Sequence, residues 1–275
     1  MGTVACFCRN ELFKIVFKMK LIRFRKKHIT ISGLFVLFLF IVIVFFSNRA
    51  LLFLFKDKIW AHKVNSIEKL EEVGKLFPGA ELDVVFYANG NYFDVNHPPD
   101  KSVNLSLAEY FQSKKNDPNF KYWIDFKNLN QDNELLSANR LDSITRIFNI
   151  KKRNIIIESV NPQFLKTYLN KGFFTSYYLP TNLHSLDNDS LMVVLEQIKK
   201  NLISHKNTYI STGYKNYPII NKQFPKKKKL VWFTVYGPVN KIRARIMLYE
   251  ILLDKNVDVL LIPFHPKKRR LFKTL

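Results

Sequence analysis

The sequence predicts an α/β protein: a (β/α)8 barrel of the TIM type, preceded by one N-terminal transmembrane helix. Three observations carry that expectation. Strand-like and helix-like segments alternate across residues 56–266 with short connections, the pattern of parallel βαβ units. There are about eight such units, which suits a closed barrel better than an open sheet. Finally, Ile29 to Phe46 is an uncharged apolar run of about bilayer-spanning length.

The N-terminal segment sets the expected topology. Eight basic residues from Arg9 to Lys27 stand against a single acid, Glu11. A basic flank on that side places residues 1–28 in the cytoplasm, residues 29–47 across the membrane, and the barrel domain, 56–266, on the extracytoplasmic side (periplasm or cell surface in a bacterium). Residues 267–275 form a basic tail. A cleaved signal peptide is the rival reading. It fits less well, because the run is long and Ser47-Asn-Arg-Ala50 is a poor cleavage site.

Composition narrows the classes. The 275 residues carry a net charge of +22, and 47% of them are hydrophobic and 15% aromatic, which excludes a disordered chain. The basic runs Lys226 to Lys229 and Lys267 to Arg270 lack interleaved aromatics. They suit solvated loops or anionic lipid headgroups better than nucleic acid. The two cysteines, Cys6 and Cys8, lie on the expected cytoplasmic side, so the exported domain has no disulfide.

Within the barrel the elements read in order. Lys58 to His62 is a first strand. Ser66 to Leu76 is a helix that Asn65 or Ser66 can cap. Glu81 to Tyr87 is a second strand, Asn89-Gly90-Asn91 a turn, and Tyr92 to Asn96 a short strand ending at His97. A helix from Leu105 to Ser113 and a strand from Tyr122 to Phe126 follow, then an amphipathic helix from Asn133 to Phe148. Asn154 to Val160 is a strand. Pro162 opens a helix over Gln163 to Asn170, and Gly172 stops it. Strands over Phe173 to Leu179 and Thr208 to Ser211 flank a long helix from Asp189 to Ser204. Leu230 to Tyr236, Asn240 to Leu253 and Val257 to Phe264 complete the barrel as strand, helix and strand. No Gly-x-Gly-x-x-Gly or Walker A loop occurs, so a nucleotide-binding fold has no positive support.

The chemistry concentrates where polar groups interrupt apolar strands, which costs free energy unless a partner or ligand meets them. Glu81 and Asp83 are two apart on one strand and so share a face. With Asp125 from the next strand they would make a hard oxygen site for Mg2+ or Ca2+. His62 and His97, both near strand ends beside carboxylates, suit a general base and a general acid. Lys127 shares the face of Asp125 and suits a phosphoryl oxygen. Glu158 is a charge at the end of an apolar strand, suited to a fourth ligand or a partner for Lys127. Trp232 suits the wall of a substrate pocket, although a core position serves a tryptophan equally well. In a barrel such groups gather at the C-terminal ends of the strands.

These segments resemble a known family. Ala61-His-Lys-Val-Asn-Ser66, Glu81-Leu-Asp83, His97 and Val231-Trp-Phe-Thr-Val235 look like the glycerophosphodiester phosphodiesterases, of the phospholipase-C-like phosphodiesterase superfamily. Asn96-His-Pro-Pro99 and Ile124-Asp-Phe-Lys127 are similar to the menorin branch, and Asp125 resembles the third acidic ligand of sphingomyelinase-D-type phospholipases. The resemblance implies His62 and His97 as the catalytic pair, Glu81, Asp83 and Asp125 as ligands of a divalent metal, and cleavage of a phosphodiester. Lys63 stands where the family usually has arginine, and so implies phosphate binding by a point charge. Val64 and Pro98 replace the usual glutamate and aspartate. The expected protein is thus a membrane-anchored phosphodiesterase acting on glycerophosphodiester, phospholipid-headgroup or envelope-polymer bonds. The alternative is a non-catalytic barrel that binds a phosphorylated lipid or glycan at the membrane surface. A glycosidase using Glu81 or Glu158 ranks last, because it leaves both histidines unexplained.

Overall fold

The structure, a computed structural model, describes residues 31–234 and 241–266. The expected cytoplasmic segment 1–28 and the basic tail 267–275 lie outside the described residues. Two units are present, Met1–Ser47 and Asn48–Leu275.

The first unit contributes one described helix, α1 (Ile31–Phe46), apolar along its length with Leu34, Phe35, Val36 and Phe38 exposed. No single helix among the described residues is long and apolar enough to cross a membrane. Gly33–Phe46 and Asn48–Leu54, broken at Ser47, pass that test only as a pair, by length and composition.

The second unit is a closed barrel. Its parallel strands are β1 (Ile59–His62), β2 (Gly79–Tyr87), β4 (Lys121–Phe126), β5 (Ile155–Ser159), β6 (Phe174–Tyr178), β7 (Tyr209–Gly213), β8 (Lys229–Trp232) and β9 (Val257–Pro263). They pair in the order β1-β9-β8-β7-β6-β5-β4-β2, and a β1–β2 pairing closes the ring. The remaining strand, β3 (Tyr92–Asp94), is antiparallel to β2, with Phe86 opposite Phe93. It is shorter than the expected Tyr92 to Asn96 and lies outside the ring, as the hairpin partner of an overlong β2. Asn91, at positive φ, turns that hairpin.

Side-chain alternation explains why the ring closes. Trp60, Trp123, Ile156, Leu230, Val259 and Leu261 point inward and fill the barrel. Their neighbours Ala61, Ile124, Ile157, Val231 and Leu260 point outward and are buried under helices. Strands covered on both faces read as continuous apolar runs, which is how the sequence marks them. Each such aliphatic side chain contributes about 1.5–3 kcal/mol on burial.

The covering helices are α2 (Asn48–Leu54), α3 (Ile67–Val73), α4 (Leu107–Gln112), α5 (Glu134–Ile147), α6 (Leu165–Asn170), α7 (Asn188–Ser204), α8 (Tyr217–Gln223) and α9 (Lys241–Leu253). Local chemistry sets several of their ends. Ser66, not Asn65, caps α3 by accepting from Lys69 N. Ser106 and Glu109 form a reciprocal capping box on α4, and Asp187 caps α7. Pro162 opens a 3-10 turn, Pro162–Phe164, rather than α6 itself. Gly172, at φ 91°, ends α6 as its sequence position implies. The helix α8 was not expected, because seven residues beginning at a Tyr-Pro pair carry little helical periodicity.

Candidate active site

The site is built at the C-terminal rim, beginning at the end of β1. The chain leaves His62 through Lys63, whose φ of 52° turns it sharply out of the strand. Lys69 Nζ, one helical turn into α3, donates to the carbonyls of His62 (3.0 Å) and Lys63 (2.7 Å) and holds this corner. Tyr110 Oη donates to Val64 O (2.8 Å) from the other side. Lys63 N in turn donates to Glu81 Oε2 (2.6 Å), so the corner positions the first carboxylate.

Asn65 clasps the second carboxylate. Its Nδ2 donates to Asp83 Oδ2 (2.7 Å), and its Oδ1 accepts from Asp83 N (3.0 Å). Strand register supplies the rest, with Asp83 opposite Asp125 and Asp125 opposite Glu158. Glu81 is only the third residue of β2, not at its end as the strand-end rule leads one to expect. The stagger of the barrel brings it level with the end of β1, since Ala61 pairs with Ala80.

Glu81, Asp83 and Asp125 each offer a carboxylate oxygen within 4.8 Å of the others. All three are buried or nearly so. Burial pushes Glu81 well above the usual carboxylate range, with Asp83 and Asp125 adding repulsion. Burial raises Asp125 as well, against the opposing pull of Lys127. Three crowded carboxylates in a dry place demand positive charge or protons. Part of that charge is Lys127, whose Nζ lies 2.7 Å from Asp83 Oδ1 and also binds Asp125 Oδ2. Its partial burial favours the neutral amine, but the two aspartates outweigh this and raise its pKa. The donor set fits a hard divalent cation: all-oxygen, anionic and held by backbone and amide contacts from outside.

Glu158 is not an ion-pair partner of Lys127. It is buried, and its pKa is raised by burial and then by Asp125. Trp123 and Ser211 adjoin the carboxylate and oppose that rise, yet Glu158 Oε2, Trp123 Nε1 and Ser176 Oγ are buried without a hydrogen bond of good geometry. Such orphans inside a barrel are groups that a bound ligand or solvent would satisfy.

The histidines differ in setting. His62 is deeply placed, with Nε2 3.6 Å from Glu81 Oε2. Burial drives its pKa down to about 3, against the attraction of Asp83, so the ring is neutral near pH 7. The ring of His97 is partly exposed, with Nδ1 4.0 Å from Asp100 Oδ2. Its loop is tied to β2 by Asn96 N donating to Asp83 O (3.1 Å) and continues through the cis Pro98-Pro99 bond. Trp232 stacks on Tyr178, ring centroids 4.9 Å apart. A side chain at Gly213 would begin 3.0 Å from Trp232 Nε1, so glycine there lets the indole lie across the barrel mouth.

His62, Lys63, Glu81, Asp83, His97, Asp125, Lys127, Glu158 and Trp232 all line one cavity of ≈ 200 Å³. Every residue singled out from the sequence is therefore brought together. The same cavity is lined by Trp123, Tyr178, Thr234 and Leu261, which sequence reasoning missed. Trp123 was legible, because it lies two residues before Asp125 on the same face. Tyr178 ends a strand at the same rim. Asn65, read only as a helix cap, is instead the clasp of Asp83.

No family model matches the sequence, and no curated protein matches it. Solved structures do. A glycerophosphodiester phosphodiesterase from Parabacteroides distasonis matches at a TM-score of 0.50 and 18% identity, covering 75% of this chain and 93% of that one. A glycerophosphoryl diester phosphodiesterase-type protein of Silicibacter pomeroyi matches at 0.52 and 13%, covering 74% and 89%. A glycerophosphodiester phosphodiesterase-type protein of Galdieria sulphuraria matches at 0.51 and 14%, covering 75% and 93%. At these identities the likeness is one of fold, and by that fold the structural neighbours of this chain are glycerophosphodiester phosphodiesterase barrels.

Proposed function

We propose that this protein is a membrane-anchored, divalent-metal-dependent phosphodiesterase. It would hydrolyse glycerophosphodiester, phospholipid-headgroup or envelope-polymer phosphodiester bonds by two-histidine acid/base catalysis. The observation that carries this reading is the convergence of two histidines, three close carboxylates and a lysine on one cavity. The fold of the neighbouring structures agrees with it. The apolar helix and its basic flank support an anchor, with the barrel on the extracytoplasmic side.

His62, neutral and held by its burial beside Glu81, takes the proton of the attacking hydroxyl, the substrate's own neighbouring hydroxyl or a water. His97, at the solvent side, gives a proton to the leaving oxygen. Lys127 Nζ and the Lys63 side chain hold non-bridging phosphoryl oxygens as point charges. Glu158 and Trp232 line the path of the rest of the substrate. Glu81, Asp83 and Asp125 would hold Mg2+ or Ca2+, which when bound supplies charge neutralisation at the phosphoryl group.

One observation favours a second reading, a barrel that binds a phosphorylated lipid or glycan without turnover. The Lys127 ammonium already bridges Asp83 and Asp125, so the carboxylates are partly neutralised from within the chain. A single experiment separates the two. The full chain is assayed for hydrolysis of glycerophosphodiesters and lysophospholipids with Mg2+, Ca2+ or EDTA, alongside Glu81→Gln/Asp83→Asn, and metal binding is followed by calorimetry. Turnover that EDTA and the double substitution both abolish is the expected result. Ligand binding without turnover or metal uptake would establish the binding barrel instead.

A further inference from the structure

All parallel strands of a barrel start on one face, and here that face is cationic. The segments entering β1, β4, β5, β7, β8 and β9 carry Lys56, Lys115, Lys151, Lys206, Lys226 and Lys255, all exposed. Several acids on this rim already have lysine partners of their own. Asp258 pairs with Lys228 (2.6 Å), Asp254 with the buried Lys229 (3.4 Å) and Asp117 with Lys114 (3.5 Å). Those six lysines therefore add to a rim most of whose acids are paired, with Asp57 and Glu71 exposed and outside those pairs.

Helix C-termini end on this face and favour one basic residue each. That accounts for isolated lysines, and Asp142, Lys206 O and Asp258 hold Lys152, Lys227 and Lys228, but neither accounts for the exposed Lys151, Arg153 and Lys226. Nor does either account for Phe53, Leu54 and Leu76, which are exposed just before β1 and β2 (Phe53 by 80%). Lysines interspersed with exposed apolar side chains are the chemistry of an interfacial surface. The chain also runs back from β1 into the apolar helix Ile31–Phe46.

We infer that this lysine rim seats on anionic lipid headgroups, so that the cavity, at the opposite end of the barrel, opens away from the bilayer. The inference rests on the anchored reading and not on the catalytic one. Joined to the catalytic reading, it narrows the substrate class: the cavity takes a diester from solution or from a surrounding polymer, not a headgroup of the leaflet on which the barrel sits.

The test uses the full chain with Cys6→Ser and Cys8→Ser, in nanodiscs of phosphatidylcholine alone or mixed with phosphatidylglycerol. A dye is attached at Asn207→Cys on the lysine rim or at Lys101→Cys on the cavity rim, and headgroup spin-labelled lipid is the quencher. Several-fold stronger quenching at position 207 than at 101, in the mixed discs only, is expected. Lys206→Glu/Lys226→Glu/Lys255→Glu should remove that difference, and the corresponding glutamine variant should reduce it. Equal quenching, stronger quenching at 101, or indifference to phosphatidylglycerol would overturn the inference. So would lysine-dependent retention of single-stranded RNA without any lipid preference. Hydrolysis of a soluble diester by the same samples reports the catalytic reading separately, and the triple variant should keep it.

Discussion

The two rims of the barrel are both rich in charge and are built in opposite ways. At the C-terminal rim Glu81, Asp83 and Glu158 are buried within the ring and Asp125 nearly so, and one of their oxygens, Glu158 Oε2, has no hydrogen-bond partner. At the N-terminal rim the lysines stand in exposed loops, outside an interior plugged by Trp60, Ile156 and Val259. Buried, crowded charge is costly and is retained where a ligand satisfies it. Exposed like charge costs little and acts at a distance on a surface. On the readings proposed above, the difference separates a place for chemistry from a place for docking.

The comparison breaks most visibly at His62. His62→Ala should lower kcat/KM for a cleaved diester by roughly 10²–10⁴-fold, the usual worth of a positioned acid or base. Lys206→Ala, on the other rim, should leave it unchanged. Equal rates for His62→Ala and the parent would remove catalysis from the C-terminal rim.

At the N-terminal rim the expected effect is on stability. Lys229 is fully buried, with Nζ near Pro225 O and Asp254 Oδ2 at 3.4 Å each. Tyr217 Oη also donates to Asp254 Oδ2 (3.0 Å). Lys229→Ala should cost about 1–3 kcal/mol in urea unfolding, through lost stem packing and a partly stranded Asp254. Lys229→Met should recover most of that, because the stem volume returns and Tyr217 still serves the carboxylate. If the Met variant is as unstable as the Ala variant, the charge and not the packing is what counts there.

The smallest effect concerns Lys69, behind the His62 corner. Burial lowers its pKa to about 8 from an ordinary 10.5, with Glu81 partly opposing. The unfolded chain then binds more protons between those values, so stability should rise with pH from about 8 to 10.5, and the penalty is full below 8. Unfolding of the parent and of Lys69→Gln at pH values across that window should show the gap moving in favour of the parent as pH rises. A gap independent of pH would mean that the carbonyls of His62 and Lys63 fully solvate the ammonium.

Much of this was legible along the chain, for local reasons. The period-2 placement of Glu81 and Asp83 put both on one face, and the apolar strands around Ile124, Ile157 and Leu260 announced a sheet covered on both sides. The helix read over Leu105 to Ser113 is present as Leu107–Gln112, and the Ser106–Glu109 capping box that starts it came to light only in the structure. The helix α8 was not legible, because its seven residues hold their shape by packing Tyr217 and Ile220 against the strands, not by periodicity. Nor could the sequence show that β3 leaves the ring, since a short strand reads alike inside a barrel or beside it.

By itself, then, the sequence determined the alternation of elements, nine of the thirteen residues that line the cavity and the basic character of the loops that enter the strands. These are properties of residue type and near-neighbour spacing. Only the tertiary structure decided that Asn65 clasps Asp83, that Lys127 bridges Asp83 and Asp125, and that Glu81 stands level with His62. Those facts depend on strand register and stagger, which are fixed when the whole ring closes and which no single segment encodes.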